Sequence, residues 1–313
     1  MNKITVIGSG NVGSTIAYTL TIQGIASEIV MIDLNEEKSL GEALDIRQGV
    51  SFCSPASVYA GSYDDAKDSD IVVITSGMAR KPGQSRLDLA QANVNIIKSI
   101  ADKIVPVAPN ATYVIVSNPV DVLTYVFLKH TGLPQERVIG SGTVLDTARL
   151  RSRISEYYSV NQKNVHAYVL GEHGDSSFVP WSLANISNVP VESFKEAIQT
   201  KEAYPEFVLS EVEEYMRKSG ARIIQRKGAT FYAVSISVCH ICKCLLSGID
   251  TTLTVSTMLN GEYGIEDVCL SLLNVVGDKG AHAKIMLPLN DEELKALHNS
   301  AKVLKDLIAS LDI

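Results

Sequence analysis

The sequence predicts a doubly wound α/β fold in its first half, followed by an α+β unit. Three observations carry that expectation. Short runs rich in Val and Ile alternate with helical stretches as far as residue 140. Those runs are apolar at nearly every position, as strands of a parallel sheet covered by helices on both faces are. Beyond residue 141 the alternation stops and hairpin turn signals appear.

Taken in order, the strand runs are "KITVIG" (3–8), "EIVMID" (28–33), "VYAG" (58–61), "IVVITS" (71–76), "TYVIVS" (112–117) and "RVIG" (137–140). Between them lie the helical stretches "STIAYTLTIQG" (14–24), "SLGEALDIRQGV" (39–50) and "RLDLAQANVNIIKSIADKI" (86–104). A helix over 143–158 then leads to a strand "VHAYVLG" (165–171) and to polar helices within 191–247. The turns "NGEYG" (260–264) and "VVGDKG" (275–280) predict hairpins. A last amphipathic helix runs through 290–311, with Asn290 as its N-cap. No linker rich in Ser, Pro or Gly separates the halves, which predicts an extensive interface between them.

Composition narrows the function classes. The chain has 313 residues, 46% hydrophobic and 20% charged, enough to fill a sizeable core. A net charge of −7 argues against a general nucleic-acid role, which needs a basic face to neutralise phosphates. The most apolar stretch, "FYAVSISVCHICKCLLSGI" (231–249), carries Ser, His and Lys and reads as a buried helix rather than a membrane span. The amino-terminal "ITVIG" is too short for a signal-peptide core, so a cytoplasmic protein is expected. The five cysteines are expected to be free thiols. Within "CHICKC", Cys239 and Cys242 share a helix face and Cys244 does not, so no metal site is expected.

The segment "VIGSGNVGS" sets Gly8, Gly10 and Gly13 in the order G-x-G-x-x-G between a strand and a helix, and Asp33 ends the next strand. In that context the pattern predicts a dinucleotide site of the Rossmann type. Gly10 lets a pyrophosphate approach the backbone at the helix amino terminus, and Asp33 accepts hydrogen bonds from a ribose diol. Asp33 also repels a 2′-phosphate and "DLNEE" has no Arg to counter it, so NAD is expected over NADP. The expected division is a dinucleotide-binding unit over 1–140 and an α+β catalytic unit over 141–313.

Downstream, "GSGTVLDTARLR" puts Asp146 and Arg149 three apart on one helix face, and "GEHGDS" puts His173 just past a strand end. Read singly, these are a helical ion pair and a turn residue. Beside a nicotinamide site and the two arginines of "RKPGQSR" (80–86), they form a coherent set for hydride transfer.

The chain resembles the NAD-dependent L-lactate and malate dehydrogenases over nearly its whole length, through "VIGSGNVG", "MID", "RKPGQSRLDL", "VSNPVD", "GSGTVLDTARLR", "GEHGDS" and "KGAT". The resemblance implies that His173 is the proton donor and acceptor and that Asp146 orients it. Arg149 then clamps the substrate carboxylate, Arg86 polarises the carbonyl, Asn118 hydrogen-bonds the same oxygen, and Thr230 lines the pocket. It implies a cis Asn118–Pro119 bond. It further implies that the cofactor touches Asn11, Val12, Ser76, Gly77, Asn93, Ser117 and Asn118 besides the three glycines and Asp33. It implies dimers or tetramers, and it matches Arg151 and His166 to positions where bacterial lactate dehydrogenases bind fructose 1,6-bisphosphate; ordinary surface contacts are the other reading.

Arg80 decides the substrate at this stage. The position before "KPG" carries Gln in the lactate enzymes and Arg in the malate enzymes, so the resemblance implies that Arg80 takes a second carboxylate. The expectation is a malate dehydrogenase of the tricarboxylic acid cycle acting on a 2-keto/2-hydroxy dicarboxylate. The alternatives are an L-lactate or related 2-hydroxy acid dehydrogenase, toward which "GTVLDTARLR", "GEHGDSSFVPWS" and Thr230 point, and a non-catalytic NAD-binding regulator.

Overall fold

The computed structural model describes residues 2–78, 86–199, 204 and 206–313. Arg80 lies outside these residues, and so does the side chain of Arg86. The first half runs β1 (Lys3–Ile7), α1 (Asn11–Ile22), β2 (Glu28–Ile32), α2 (Glu36–Gly49), β3 (Ser57–Ala60), β4 (Ile71–Ile74), α3 (Arg86–Ile104), β5 (Thr112–Ile115), α4 (Val120–Thr131) and β6 (Val138–Gly140). The second half runs α5 (Val144–Tyr158), β7 (Val165–His166), β8 (Asn185–Ile186), β9 (Val189–Pro190), α6 (Phe194–Ala197), α7 (Leu209–Lys227) and α8 (Tyr232–Leu245). It ends with β10 (Thr251–Leu253), β11 (Ser256–Asn260), β12 (Glu266–Ser271), β13 (Asn274–Gly277), β14 (Gly280–Lys284) and α9 (Asp291–Ala309).

Strands β1 to β6 form a parallel Rossmann sheet in the order β3-β2-β1-β4-β5-β6. Successive residues of each strand face opposite layers. Ile7, Val30, Ile32, Val72, Ile74 and Ile115 pack toward α3, α4 and α9, whereas Ile4, Val6, Ile29, Met31, Ile71 and Val73 pack toward α1, α2 and α8. Two buried faces per strand account for the unbroken Val/Ile runs. The antiparallel pair β11–β12 extends this sheet beyond β6, through a bridge between Ser256 and Gly140. Hairpin β13–β14 pairs with β10 in a separate small sheet.

The expected strand over 165–171 is shorter than its sequence suggests. Only Val165 and His166 form a ladder, because the partner β8 offers two residues, and Leu170 and Gly171 make isolated bridges to Phe178 and Ser271. A third apolar cluster joins α5 and α7 through Leu150, Ile154, Tyr158, Val212 and Met216. The cysteines are free, and all but Cys53 are buried. Cys244 is buried with its neighbours and its Sγ lies 3.8 Å from His240 Nε2.

The direction of the crossovers reverses between β1 and β4, which opens a crevice at their carboxyl ends. The turn after β1 needs its glycines. Gly8 has φ +104°, and a Cβ there would meet Thr75 Oγ1 at 2.6 Å. A Cβ on Gly13 would lie 1.7 Å from the Gly8 carbonyl oxygen, which is backbone and cannot step aside. Gly13→Ala is therefore expected to lower stability by about 1–3 kcal/mol or more. Gly41→Ala on α2, where a Cβ meets nothing within 4 Å among the described residues, should raise it by about 0.5–1 kcal/mol. Thermal unfolding of the two variants checks both signs.

Candidate active site

The cofactor end of the crevice is built by backbone. Helix α1 has Gly10 at its N-cap, with no side-chain capping bond among the described residues and no acidic residue in its first turn, whereas α2 is capped by Asn35 and carries Glu36 and Glu37 there. Among the described residues nothing lies within 4 Å of a Cβ on Gly10, so that face of the peptide is open to them. An uncapped helix amino terminus under an open glycine suits a pyrophosphate. Asn11 is the first residue of α1, and the Val12 carbonyl accepts from Ser235 Oγ at 3.2 Å, tying α1 to α8. Asp33 stands at the end of β2, accepting from the main-chain N–H of Ser9 at 2.6 Å and of Asn35 at 2.9 Å. Its carboxylate thus braces the glycine turn while keeping lone pairs for hydroxyl donors.

Across the crevice Asn93, buried on α3, links two loops. Its Oδ1 accepts from Met78 N–H at 2.7 Å and its Nδ2 donates to the Asn118 carbonyl at 2.8 Å. Ser117 Oγ donates to the Ser76 carbonyl at 2.6 Å, and Gly77 sits between Asn93 and Ser117. The Asn118–Pro119 bond is cis, and the Asn118 side chain is exposed at the start of α4.

The polar end is centred on one buried carboxylate. Asp146 in the first turn of α5 accepts from Arg149 Nη1 through Oδ1 at 2.8 Å and faces His173 Nδ1 through Oδ2 at 2.5 Å. Burial works against its ionisation, but the His173 charge and hydrogen bond and the Arg149 guanidinium outweigh it and hold the carboxyl below its ordinary value. For His173, burial opposes the imidazolium, yet the Asp146 charge and hydrogen bond, joined by Asp121, raise its pKa to about 9. Among the described residues no hydrogen bond to its Nε2 is found, which leaves that nitrogen to meet a ligand.

Position is set by the backbone around His173. Three consecutive amides are gripped by three elements: Gly171 N–H by the Ser271 carbonyl of β12 at 2.9 Å, Glu172 N–H by Ser300 Oγ of α9 at 2.7 Å, and His173 N–H by Asp121 Oδ2 of α4 at 2.7 Å. Helix α5 is stitched to the same segment, since Thr143 Oγ1 donates to the Val169 carbonyl at 2.5 Å and Thr147 Oγ1 accepts from Val169 N–H at 2.9 Å. Sequence reasoning passed over Asp121, Ser300, Thr143 and Thr147. Asp121 was readable only as the acid that ends "VSNPVD". It is 2% exposed, and burial raises its carboxyl to about 6, against the His173 N–H and charge.

The remaining expected residues scatter. Thr230 is half-buried in the turn after the α7 C-cap Gly228. Arg151 Nε donates to the Ala167 carbonyl at 3.0 Å and its guanidinium stacks 5.3 Å from the centre of the Tyr168 ring, while His166 is exposed on β7. Among the described residues no group of three or more His, Cys, Asp or Glu could hold a metal ion, and no helix is long and apolar enough to cross a membrane.

Residues 2–140 match the family model of the lactate/malate dehydrogenase NAD-binding domain, and residues 143–311 match that of the lactate/malate dehydrogenase α/β C-terminal domain. The chain is 47% identical over 313 residues to an L-lactate dehydrogenase of Thermoanaerobacter pseudethanolicus, covering 100% of both chains. It is 44% identical over 314 residues to an L-lactate dehydrogenase of Acetivibrio thermocellus, covering 100% of this chain and 98% of that one. Among solved structures it superposes with a TM-score of 0.94 on a lactate dehydrogenase from a Medee basin deep-sea metagenome library, at 40% identity over 99% of this chain and 98% of that one. The minor L-lactate dehydrogenase of Enterococcus mundtii gives a TM-score of 0.94 at 36% identity, over 100% and 99% of the chains.

These matches overturn the expectation of a malate dehydrogenase of the tricarboxylic acid cycle. That expectation gave the charge of one side chain, Arg80, more weight than the pocket and scaffold around it. Relatives of 44–47% identity along the full length are L-lactate dehydrogenases, and so are the structural neighbours. With both halves matched, an NAD-binding crevice at the β1/β4 switch and full-length relatives of one kind, the chain belongs to the lactate/malate dehydrogenase family of NAD-dependent enzymes.

Proposed function

We propose that the chain interconverts pyruvate and L-lactate, in keeping with full-length relatives named L-lactate dehydrogenase. The observation that carries this reading is the full-length likeness to L-lactate dehydrogenases at 44–47% identity, and the buried carboxylate of Asp146 joining His173 and Arg149 supplies the 2-keto/2-hydroxy acid chemistry that goes with it. When bound, NAD supplies or takes up the hydride at C2 of the acid.

The chain's own residues handle charge and protons. Arg149 is always cationic and planar, so it clamps the substrate carboxylate with the edge that Asp146 does not occupy. His173 gives its Nε2 proton to the keto oxygen during reduction and recovers one from the hydroxyl during oxidation. Asp146 holds Nδ1, fixing the ring and stabilising the imidazolium. Asn118 and Arg86 are the donors assigned to the carbonyl oxygen. Asp33 and the amino end of α1 take the adenosine ribose and the pyrophosphate. This reading assigns Arg80 no carboxylate partner.

Steady-state assays with NADH should give a higher kcat/KM for pyruvate than for oxaloacetate; the opposite preference would overturn the assignment. Reduction needs His173 protonated, and its pKa is raised to about 9. Hence kcat/KM for pyruvate should stay level below that pH and fall about tenfold per unit above it, while lactate oxidation rises over the same range. Asp146→Asn removes the charge that raises the imidazole, so both limbs should move to lower pH by about one unit or more. A pH–rate profile of the variant that superposes on the wild type would contradict this role for Asp146. At the cofactor end, Asp33→Ala should narrow the preference for NADH over NADPH by roughly tenfold or more, through loss of ribose hydrogen bonds and of 2′-phosphate repulsion. Comparing kcat/KM for the two cofactors measures it.

A further inference from the structure

A closed circuit of hydrogen bonds runs from Asp33 through the glycine turn and α2. Asp33 Oδ2 accepts from the Ser9 N–H at 2.6 Å, and its Oδ1 from the Asn35 N–H at 2.9 Å. The Asn35 carbonyl accepts from the Ser39 N–H at 3.0 Å, in the first turn of α2. The Ser39 hydroxyl then meets the Ser9 hydroxyl at 2.8 Å, which returns the circuit to its start. Ser9 is 0% and Ser39 2% exposed, so bulk water does not stand in for that last link. Its direction is set as well. Ser39 Oγ donates its proton to the Met31 carbonyl at 3.1 Å, and therefore accepts from Ser9 Oγ.

The sheet does not need this hydroxyl. The Met31 carbonyl already takes the Gly61 N–H at 2.9 Å, so it is satisfied without Ser39. Among the described residues the Ser9 hydroxyl has one partner, and that partner is Ser39. Ala43, one turn further along α2, belongs to the apolar cluster on this side of the sheet. Hydroxyls buried beside such a layer are costly unless they are bonded. What the bonded pair holds is Ser9, the residue whose amide seats Asp33.

We propose that Ser39 is a positioning residue for the dinucleotide: by holding the Ser9 side chain it fixes the Ser9 amide against Asp33, and so aims the carboxylate at the ribose diol. The inference rests on the reading of Asp33 as the ribose acceptor. Ser39 acts only through Ser9 and Asp33. Without the hydroxyl pair the glycine turn loses its tie to α2, and the diol meets a carboxylate of less defined direction.

The test titrates NADH into wild type, Ser39→Ala, Asp33→Ala and the double variant, and measures kcat for pyruvate reduction at saturating NADH. Ser39→Ala should raise the Kd for NADH by about threefold to tenfold, the worth of one hydrogen bond, without lowering kcat. Asp33→Ala should raise it at least as far. The double variant should bind NADH as Asp33→Ala alone does, because Ser39 then has nothing left to aim. A Ser39→Ala that binds NADH like wild type overturns the inference. An effect that persists at full size beside Asp33→Ala also overturns it, since that effect comes from the packing of α2. A lowered kcat, whatever the Kd, does so too. Should Ser39→Ala not fold, Ser9→Ala removes the same bond from its other end and is judged by the same results. If Asp33→Ala binds NADH like wild type, the ribose reading fails and this inference with it. A weakened Asp33→Ala beside an unaltered Ser39→Ala refutes the inference alone.

Discussion

The site depends on one buried charge. Asp146 is 6% exposed, and a carboxylate so placed is tolerated only when cations and hydrogen bonds replace the water it has lost. It has two cationic partners, His173 and Arg149, so with the imidazole protonated the trio keeps one positive charge over. On the proposed reading, the guanidinium of Arg149 and the imidazolium are what an anionic substrate meets. The same constraint explains the effort spent on the surrounding backbone. An imidazole can face Asp146 at 2.5 Å only if its main chain is held, and β12, α9 and α4 each hold one amide of the segment. Asp121 contributes a second buried negative charge near the ring, which joins Asp146 in keeping the imidazolium favoured.

The cofactor end obeys a different economy, built from backbone and small side chains. The Gly8 and Gly13 positions let β1 turn into α1 at a separation no Cβ permits, and Asp33 steadies the turn through the Ser9 amide. Asn93 then spans from residue 78 to residue 118, so the loops after β4 and β5 are set by one side chain. The two ends meet at Asn118, whose carbonyl takes part in that bridge while its side chain is exposed at the start of α4.

Much of this was legible in the sequence where information is local. A run such as "IVVITS" declares a strand buried on both sides, and G-x-G-x-x-G after a strand declares its turn. Asp146 and Arg149, three apart on a helix, could be paired by counting. What stayed hidden depends on partners far along the chain. Asp121 meets His173 across 52 residues, and Ser300 meets Glu172 across 128. "VHAYVLG" has the composition of a full strand but finds only a two-residue partner. The docking of β11 on β6 follows from no short motif. The substrate was misread for the opposite reason. One local residue, Arg80, was allowed to outweigh a pattern spread over the whole chain.

The junction of β11 with β6 bears on how such a chain can be inherited and rearranged. The seam is a single bridge between Ser256 and Gly140, and a Cβ at Gly140 would come within 2.4 Å of Thr124 Oγ1 and 2.9 Å of Ser256 Cβ. A glycine from the amino-terminal half is therefore matched to a serine that arrives more than a hundred residues later. Halves taken from two relatives would have to agree at this contact before either sheet or site could close. The second half thus completes the sheet that the first half begins.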